Sequence, residues 1–327
     1  MDFLETFSPV VKPATIRIIL SVALMNGWPL KQIDVKNAFL NGYLTETVFI
    51  EKPQGFQDAR FPHHVYKWNR ALYGPKQAPR AWYDRFAQFL FSHNFQASSA
   101  DPSLFVRLQQ STVTIRPLYV DDIILTGSSP TFLASFQNEV SRTFAMTDLG
   151  DLHYFLGIQV QHTTSSLFLN QQRYIMDILE RAQMQSCRST VTPIVTNVYS
   201  NSTVEEEAYP NATLYRSLVG ALQYLTFIRP NITYAVNYVS QFMHVPSLRH
   251  FQLLKRILRY IQGTISLGMQ LFKPSKLSIG AYFDADWSGC PSTHRSTTAC
   301  CTFLGPNCIS WASKQQQSVA RSYCEAE

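Results

Sequence analysis

The sequence runs to 327 residues, 46% of them hydrophobic and only 15% charged, which excludes an intrinsically disordered chain and allows two domains with cores of their own. A formal net charge of +6 suits a polyanionic partner without requiring one. Six cysteines (Cys187, Cys290, Cys300, Cys301, Cys308, Cys324) lack zinc-ligand spacing and read as buried free thiols in a reducing compartment.

In chain order, residues 14–26 predict a helix; the apolar run 16–25 inside it includes Arg17 and is too short to span a membrane. Residues 30–35 (LKQIDV) predict a short strand. A helix over 79–92 would begin at Pro79, with Trp82, Phe86, Phe89 and Leu90 on one face. Residues 116–127 (RPLYVDDIILTG) read as two apolar half-strands of a hairpin around an acidic pair. A helix is expected from Ser129-Pro130, with Phe132, Leu133, Phe136 and Val140 at helical spacing. A strand pair over 154–170 and a helix over 172–183 follow.

From 184 to 213 the chain is rich in Ser, Thr and Asn, carries Glu205-Glu206-Glu207, and reads as a linker. Helices are expected over 214–228 and 246–262. The second has an apolar stripe (Phe251, Leu254, Ile257, Leu258, Ile261), with Arg249, Lys255, Arg256 and Arg259 mostly elsewhere, as a solvated face or a track for a phosphate backbone. The tail, 277–327, alternates like strands and turns helical at its end. Sequons at Asn201, Asn211 and Asn231 come with no secretory signal, so the chain is expected in the cytoplasm or nucleus, without a membrane segment.

The strongest chemical signal is Asp121-Asp122. Two adjacent carboxylates between apolar half-strands repel each other, which divalent cations would offset; a solvated turn is the plainer alternative. A two-metal polymerase needs a third carboxylate from another strand, and Asp34, at the end of its apolar strand, fits.

The blocks FSPVVK, DVKNAFLNG, ALYG-KQAPRAWY, YVDDI, DLGDLHYFLGI, YRSLVGALQYLT and SQFMH, in this order, resemble copia-type reverse transcriptases over nearly the whole chain. The resemblance implies a mixed α+β fold: an antiparallel reverse transcriptase palm over 1–183, the linker 184–213, a helical thumb- or connection-like region over 214–265, and an incomplete ribonuclease H-like α/β domain over 275–327. It implies Asp34, Asp121 and Asp122 as a triad for two Mg²⁺ or Mn²⁺ ions. Val35, Phe39, Tyr73 and Lys76 (with Arg80) would contact the incoming deoxynucleoside triphosphate, Phe39 as a gate against a 2′-hydroxyl or else as ordinary core. Tyr119, Tyr154, Lys255, Arg256 and Arg259 would contact the RNA template and DNA primer. HYFLGI (153–158) would grip the primer or serve as a plain amphipathic strand. Asp284 and Glu327, the latter ahead of Glu325, would be the vestigial ribonuclease H carboxylates.

The family pattern also includes a preceding basic fingers strand and later ribonuclease H ligands that these residues do not contain. Weak nucleotide binding, no ribonuclease H activity and poor solubility are therefore expected. Arg116-Pro117 and Pro75 depart from the family pattern. The implied function is RNA-directed DNA polymerase; the alternatives are an inactive remnant that binds nucleic acid and a repurposed interaction protein.

Overall fold

The computed structural model describes residues 7–57, 60–61, 63–109, 112–195, 207–290 and 293–327. Glu205, Glu206 and the sequon at Asn201, which are part of the expected linker, lie outside them. The fold is mixed α/β with antiparallel sheets, divided into two compact units, Met1–Leu152 and His153–Glu327.

In the first unit, helix α1 (Pro13–Asn26) starts on a proline and stops at Gly27, whose φ of 64° gives the left-handed cap that glycine tolerates best. The main sheet has six strands in the order β4 (Gln96–Ala97), β5 (Leu104–Gln109), β6 (Thr112–Tyr119), β7 (Asp122–Gly127), β1 (Leu30–Val35), β8 (Met146–Asp151). Alternation along β1 and β7 sends Ile33, Val35, Ile123 and Leu125 into one core. Helix α2 (Ala78–Ser92) adds Trp82, Phe86 and Leu90 to it, and α3 (Pro130–Thr143) adds Leu133, Phe136 and Val140. Side chains buried this fully contribute about 1.5–3 kcal/mol each.

Strands β2 (Tyr43–Ile50) and β3 (Tyr66–Arg70) form a separate two-stranded ribbon. Neither they nor β8 were expected, because their side chains are largely outside the core and no clean alternation marks them. β8 is held to β1 by its backbone ladder instead.

Pro117 leaves a visible mark. β6 pairs continuously with β5, Pro117 opposite Leu104, but its pairing with β7 runs Thr114–Gly127, Ile115–Thr126, Leu118–Ile123, Tyr119–Asp122 and passes over 116 and 117. Proline lacks the amide a ladder needs, so the break falls on one side only.

The second unit contains sheet β12 (Met269–Phe272), β11 (Ser166–Asn170), β10 (Ile158–His162), β9 (Tyr154–Phe155), and sheet β13 (Ile279–Ala285), β14 (Thr297–Leu304), β15 (Asn307–Gln315). Helices α4 (Gln172–Arg181), α5 (Ala212–Leu225), α6 (Thr233–Ser240) and α7 (Leu248–Gln262) share a core that includes Ile175, Tyr215, Leu222, Val236 and Leu258. The strands and helix over 154–181, expected with the first domain, pack here. A short helix α8 (Tyr323–Ala326) follows β15.

The cysteines are free, as expected, but only Cys290 is buried, while Cys300 and Cys324 are exposed. Their strand and helix-end positions present the thiols outward, which corrects the expectation of burial. Among the described residues no helix is long and apolar enough to cross a membrane.

Candidate active site

β1 lies between β7 and β8, and its register sets Asp34 opposite Asp122. The Val35 amide donates to the Asp121 carbonyl at 3.1 Å, which makes Asp34–Asp122 a non-hydrogen-bonded antiparallel pair. In such a pair the Cα atoms stand about 4.5 Å apart and both side chains leave the same face of the sheet. That face also bears Gln32, whose Nε2 donates to Oδ1 of Asp122 at 3.4 Å.

Burial raises the Asp122 carboxyl to about 6; the Gln32 hydrogen bond opposes this, while Asp121 and Asp34 add to it. Asp34 is also raised, by burial first and Asp121 second, with Lys36 pulling the other way. The three carboxylates therefore feel one another. Among the described residues, however, no group of three or more His, Cys, Asp or Glu is arranged to hold a metal ion. The donor chemistry suits a hard divalent cation, with oxygen ligands and repulsion to be relieved, and a closed metal centre is not formed.

The acid pair sits at the tip of the β6–β7 hairpin. Tyr119 pairs with Asp122, leaving Val120 and Asp121 as a two-residue turn with Val120 at φ 54°. Trp82 Nε1 donates to the Val120 carbonyl at 2.7 Å.

An aromatic pair flanks the carboxylates. The short 3₁₀ turn Ala38–Asn41 carries Phe39, whose ring centroid lies 4.7 Å from that of Tyr73. The Tyr73 phenol is pushed up by partial burial and then by Asp121 and Asp34, so it stands within electrostatic reach of both. Gly42 ends this turn against α2, where an added Cβ would meet the Trp82 amide nitrogen at 2.8 Å; Arg85 donates to the neighbouring Asn41 carbonyl.

The remaining expected residues are placed as follows. Val35 is buried in the core, so any contact it makes with a nucleotide goes through its backbone. Lys76 is exposed, and Arg80 pairs with Asp84 at 3.0 Å. Tyr119 is half-buried and Tyr154 is 37% exposed on β9. Arg256 donates to Thr192 Oγ1 at 2.7 Å and Arg259 to the Arg188 carbonyl at 2.7 Å, so both tie 188–192 to α7. Lys255 lies over the Phe251 ring at 4.9 Å.

In the second unit Asp284 is exposed on β13, and Glu327 follows α8. The Tyr323 phenol is raised first by Glu327, to which it is hydrogen-bonded, and next by the charge of Asp284. Glu325 instead accepts from the Arg321 amide at 2.7 Å, a local helix-end contact.

Sequence reasoning missed Gln32, Lys36 and Trp82. Gln32 was findable, two residues before Asp34 on the same strand face. A buried tryptophan also needs a partner for its N–H, but nothing local names Val120.

Residues 1–196 match the family described as "Reverse transcriptase (RNA-dependent DNA polymerase)". The whole chain is 45% identical to the "Retrovirus-related Pol polyprotein from transposon RE1" of Arabidopsis thaliana, covering 22% of it. It is likewise 38% identical to that from transposon TNT 1-94 of Nicotiana tabacum, covering 25%. Over 64% of the chain it is 53% identical to the "Uncharacterized mitochondrial protein AtMg00810" of Arabidopsis thaliana, covering 87% of that protein. The chain thus spans about a quarter or less of the polyproteins it matches.

Proposed function

The chain belongs to the reverse transcriptase (RNA-dependent DNA polymerase) family and is of the copia-type Pol kind, and from that premise we propose that its first unit is a polymerase palm that extends a DNA primer on an RNA template. The observation that carries this reading is the cross-strand pairing of Asp34 with Asp122 beside Asp121. A hairpin tip is a poor place to leave Asp34 and Asp122, both raised and both repelled by Asp121, unless cations are meant to meet them.

In this reading Asp34, Asp121 and Asp122 would hold Mg²⁺ or Mn²⁺. Two such ions, when bound, supply charge neutralisation at the primer 3′-hydroxyl and along the triphosphate. Gln32 orients Asp122 by donating to one of its oxygens. Phe39, braced by Tyr73, would lie under the sugar of the incoming deoxynucleotide and leave no room for a 2′-hydroxyl. Lys76 would meet its phosphates. Most of the rate would come from positioning, as phosphoryl transfer requires. The 154–162 hairpin would hold the primer strand through Tyr154. The helical region of the second unit would serve as thumb or connection, with Lys255, Arg256 and Arg259 toward the nucleic-acid backbone. Asp284 and Glu327 would be the first two carboxylates of a ribonuclease H-like domain. The free cysteines suit a reducing intracellular compartment.

A second reading, a non-catalytic remnant that binds nucleic acid, is favoured by Pro117, which interrupts the β6–β7 ladder close to the acidic tip. Primer extension on an RNA template with Mg²⁺ or Mn²⁺ separates the two. Incorporation that disappears in Asp121→Asn supports the polymerase; salt-dependent binding with no incorporation supports the remnant.

A further inference from the structure

The turn that carries the acid pair is held from outside its own hairpin. Val120 has φ 54°, left-handed backbone in which a β-branched residue is a genuine outlier. Such a conformation is costly and persists only where surrounding structure over-determines it. Here the surrounding structure is Trp82. Its side chain is 1% exposed, stacked on Phe86 at 5.0 Å and edge-on to Phe144 at 5.4 Å, so the indole has little freedom to move. From that fixed seat Nε1 donates to the Val120 carbonyl at 2.7 Å.

The consequence falls on Asp121. Two peptide planes meet at its Cα. The plane before it contains the Val120 carbonyl and is pinned by Trp82; the plane after it contains the Asp121 carbonyl and is pinned by the Val35 amide at 3.1 Å. With each plane restrained by a hydrogen bond, φ and ψ of Asp121 are restrained, and with them the direction of its Cα–Cβ bond. We propose that Trp82 is a positioning residue for the polymerase carboxylates: its N–H aims Asp121 at the site that Asp34 and Asp122 share. The inference rests on the polymerase reading above for what is aimed, and on the hydrogen bonds alone for how.

A second hairpin in the chain uses the same device. The β9–β10 turn places Leu156 at φ 49° and Gly157 at φ 67°, and the Tyr224 hydroxyl donates to the Leu156 carbonyl at 2.5 Å. In each case an aromatic donor on a helix holds a bulky turn residue in left-handed backbone.

The test uses the full chain carrying Trp82→Phe, which keeps an aromatic ring and loses the donor. If Phe leaves a void that prevents folding, benzothienylalanine at position 82 keeps the indole's size without the N–H. Three readouts separate aiming from packing: amide exchange at Val35, kcat against KM in primer extension, and Mn²⁺ affinity. Val35 exchange should rise at least tenfold while core amides of α3 stay unchanged. kcat should fall at least tenfold with KM within twofold, and Mn²⁺ affinity should fall at least fivefold, as in Asp121→Asn. Tyr224→Phe, which loosens a turn away from the carboxylates, should leave Val35 exchange and Mn²⁺ affinity unchanged. Val35 exchange and kcat both within twofold of the parent would overturn the proposal. If the parent chain incorporates nothing, the polymerase reading fails by itself. The positioning role then stands if Mn²⁺ affinity and Val35 protection both fall in Trp82→Phe, and fails if either is unmoved.

Discussion

Asp34 and Asp122 face each other across the β1–β7 ladder as a non-hydrogen-bonded antiparallel pair, with Asp121 one residue away at the hairpin tip. Like charges set directly opposite on a sheet destabilise it, so this pairing works against the fold that contains it. Asp34→Asn and Asp122→Asn should each lower primer extension by roughly a hundredfold or more, the scale for removing one group that stabilises transition-state charge. Steady-state incorporation with Mg²⁺ checks this; a loss under fivefold in either variant would remove that residue from the triad.

The same pair gives stability an inverted pH dependence. Asp122 titrates at about 6 in the folded chain against an ordinary 3.8, so the folded state holds its proton more tightly than the unfolded one. Its contribution to stability is therefore most favourable below pH 4, declines as pH rises through about 6, and is constant above. Thermal melts from pH 4 to 8 without divalent ions should show this decline. In Asp122→Asn the decline should shrink, with a gain on the order of 1 kcal/mol at pH 7 after allowing for partial exposure. Mn²⁺ should stabilise the parent more than the variant.

Asp101 behaves in the opposite way. Burial alone would raise its carboxyl, but hydrogen bonds from Ser103, from Thr15 at 2.6 Å and from the Lys12 amide at 3.0 Å outweigh that and lower it. It caps α1 from outside, since Lys12 at the N-cap makes no side-chain cap of its own. Stability from Asp101 is present above its ordinary 3.8 and is lost as pH falls through its lower folded value. Asp101→Ala should cost about 1–3 kcal/mol at pH 7, the scale for orphaned buried donors, as read by urea melts. An unchanged midpoint would show that α1 does not need this cap.

Arg256 and Arg259 hold the 188–192 segment against α7. The double variant Arg256→Ala/Arg259→Ala should speed proteolysis near 188–192 several-fold. If both also contact phosphates, the salt slope of nucleic-acid binding should fall by about one per residue. If proteolysis is unaffected while the slope falls by about two, their part would lie in binding alone.

Much of the secondary structure was legible because long periodic segments declare themselves. The strand LKQIDV coincides with Leu30–Val35, and the acidic hairpin and the helices at 78–92, 130–143 and 248–262 lie within a residue or two of their expected spans. Strands β2, β3 and β8 did not show, because they are held by backbone ladders and have little buried side-chain pattern to read. Helix α6 is eight residues long, too short for its period to stand out.

The sequence by itself determined the family and nominated the three carboxylates as candidates, because ordered motifs and residue types are properties of the linear chain. It also determined that Pro117 would lack a ladder bond. The tertiary structure alone decided that Asp34 faces Asp122, since the register joins residues 88 apart in the chain (122 − 34). It alone brought Tyr323 within electrostatic reach of Asp284 as well as Glu327, and turned Arg256 and Arg259 onto their own chain. It alone joined Trp82 to Val120: a buried N–H must find an acceptor, but which carbonyl it finds depends on how α2 and the hairpin pack.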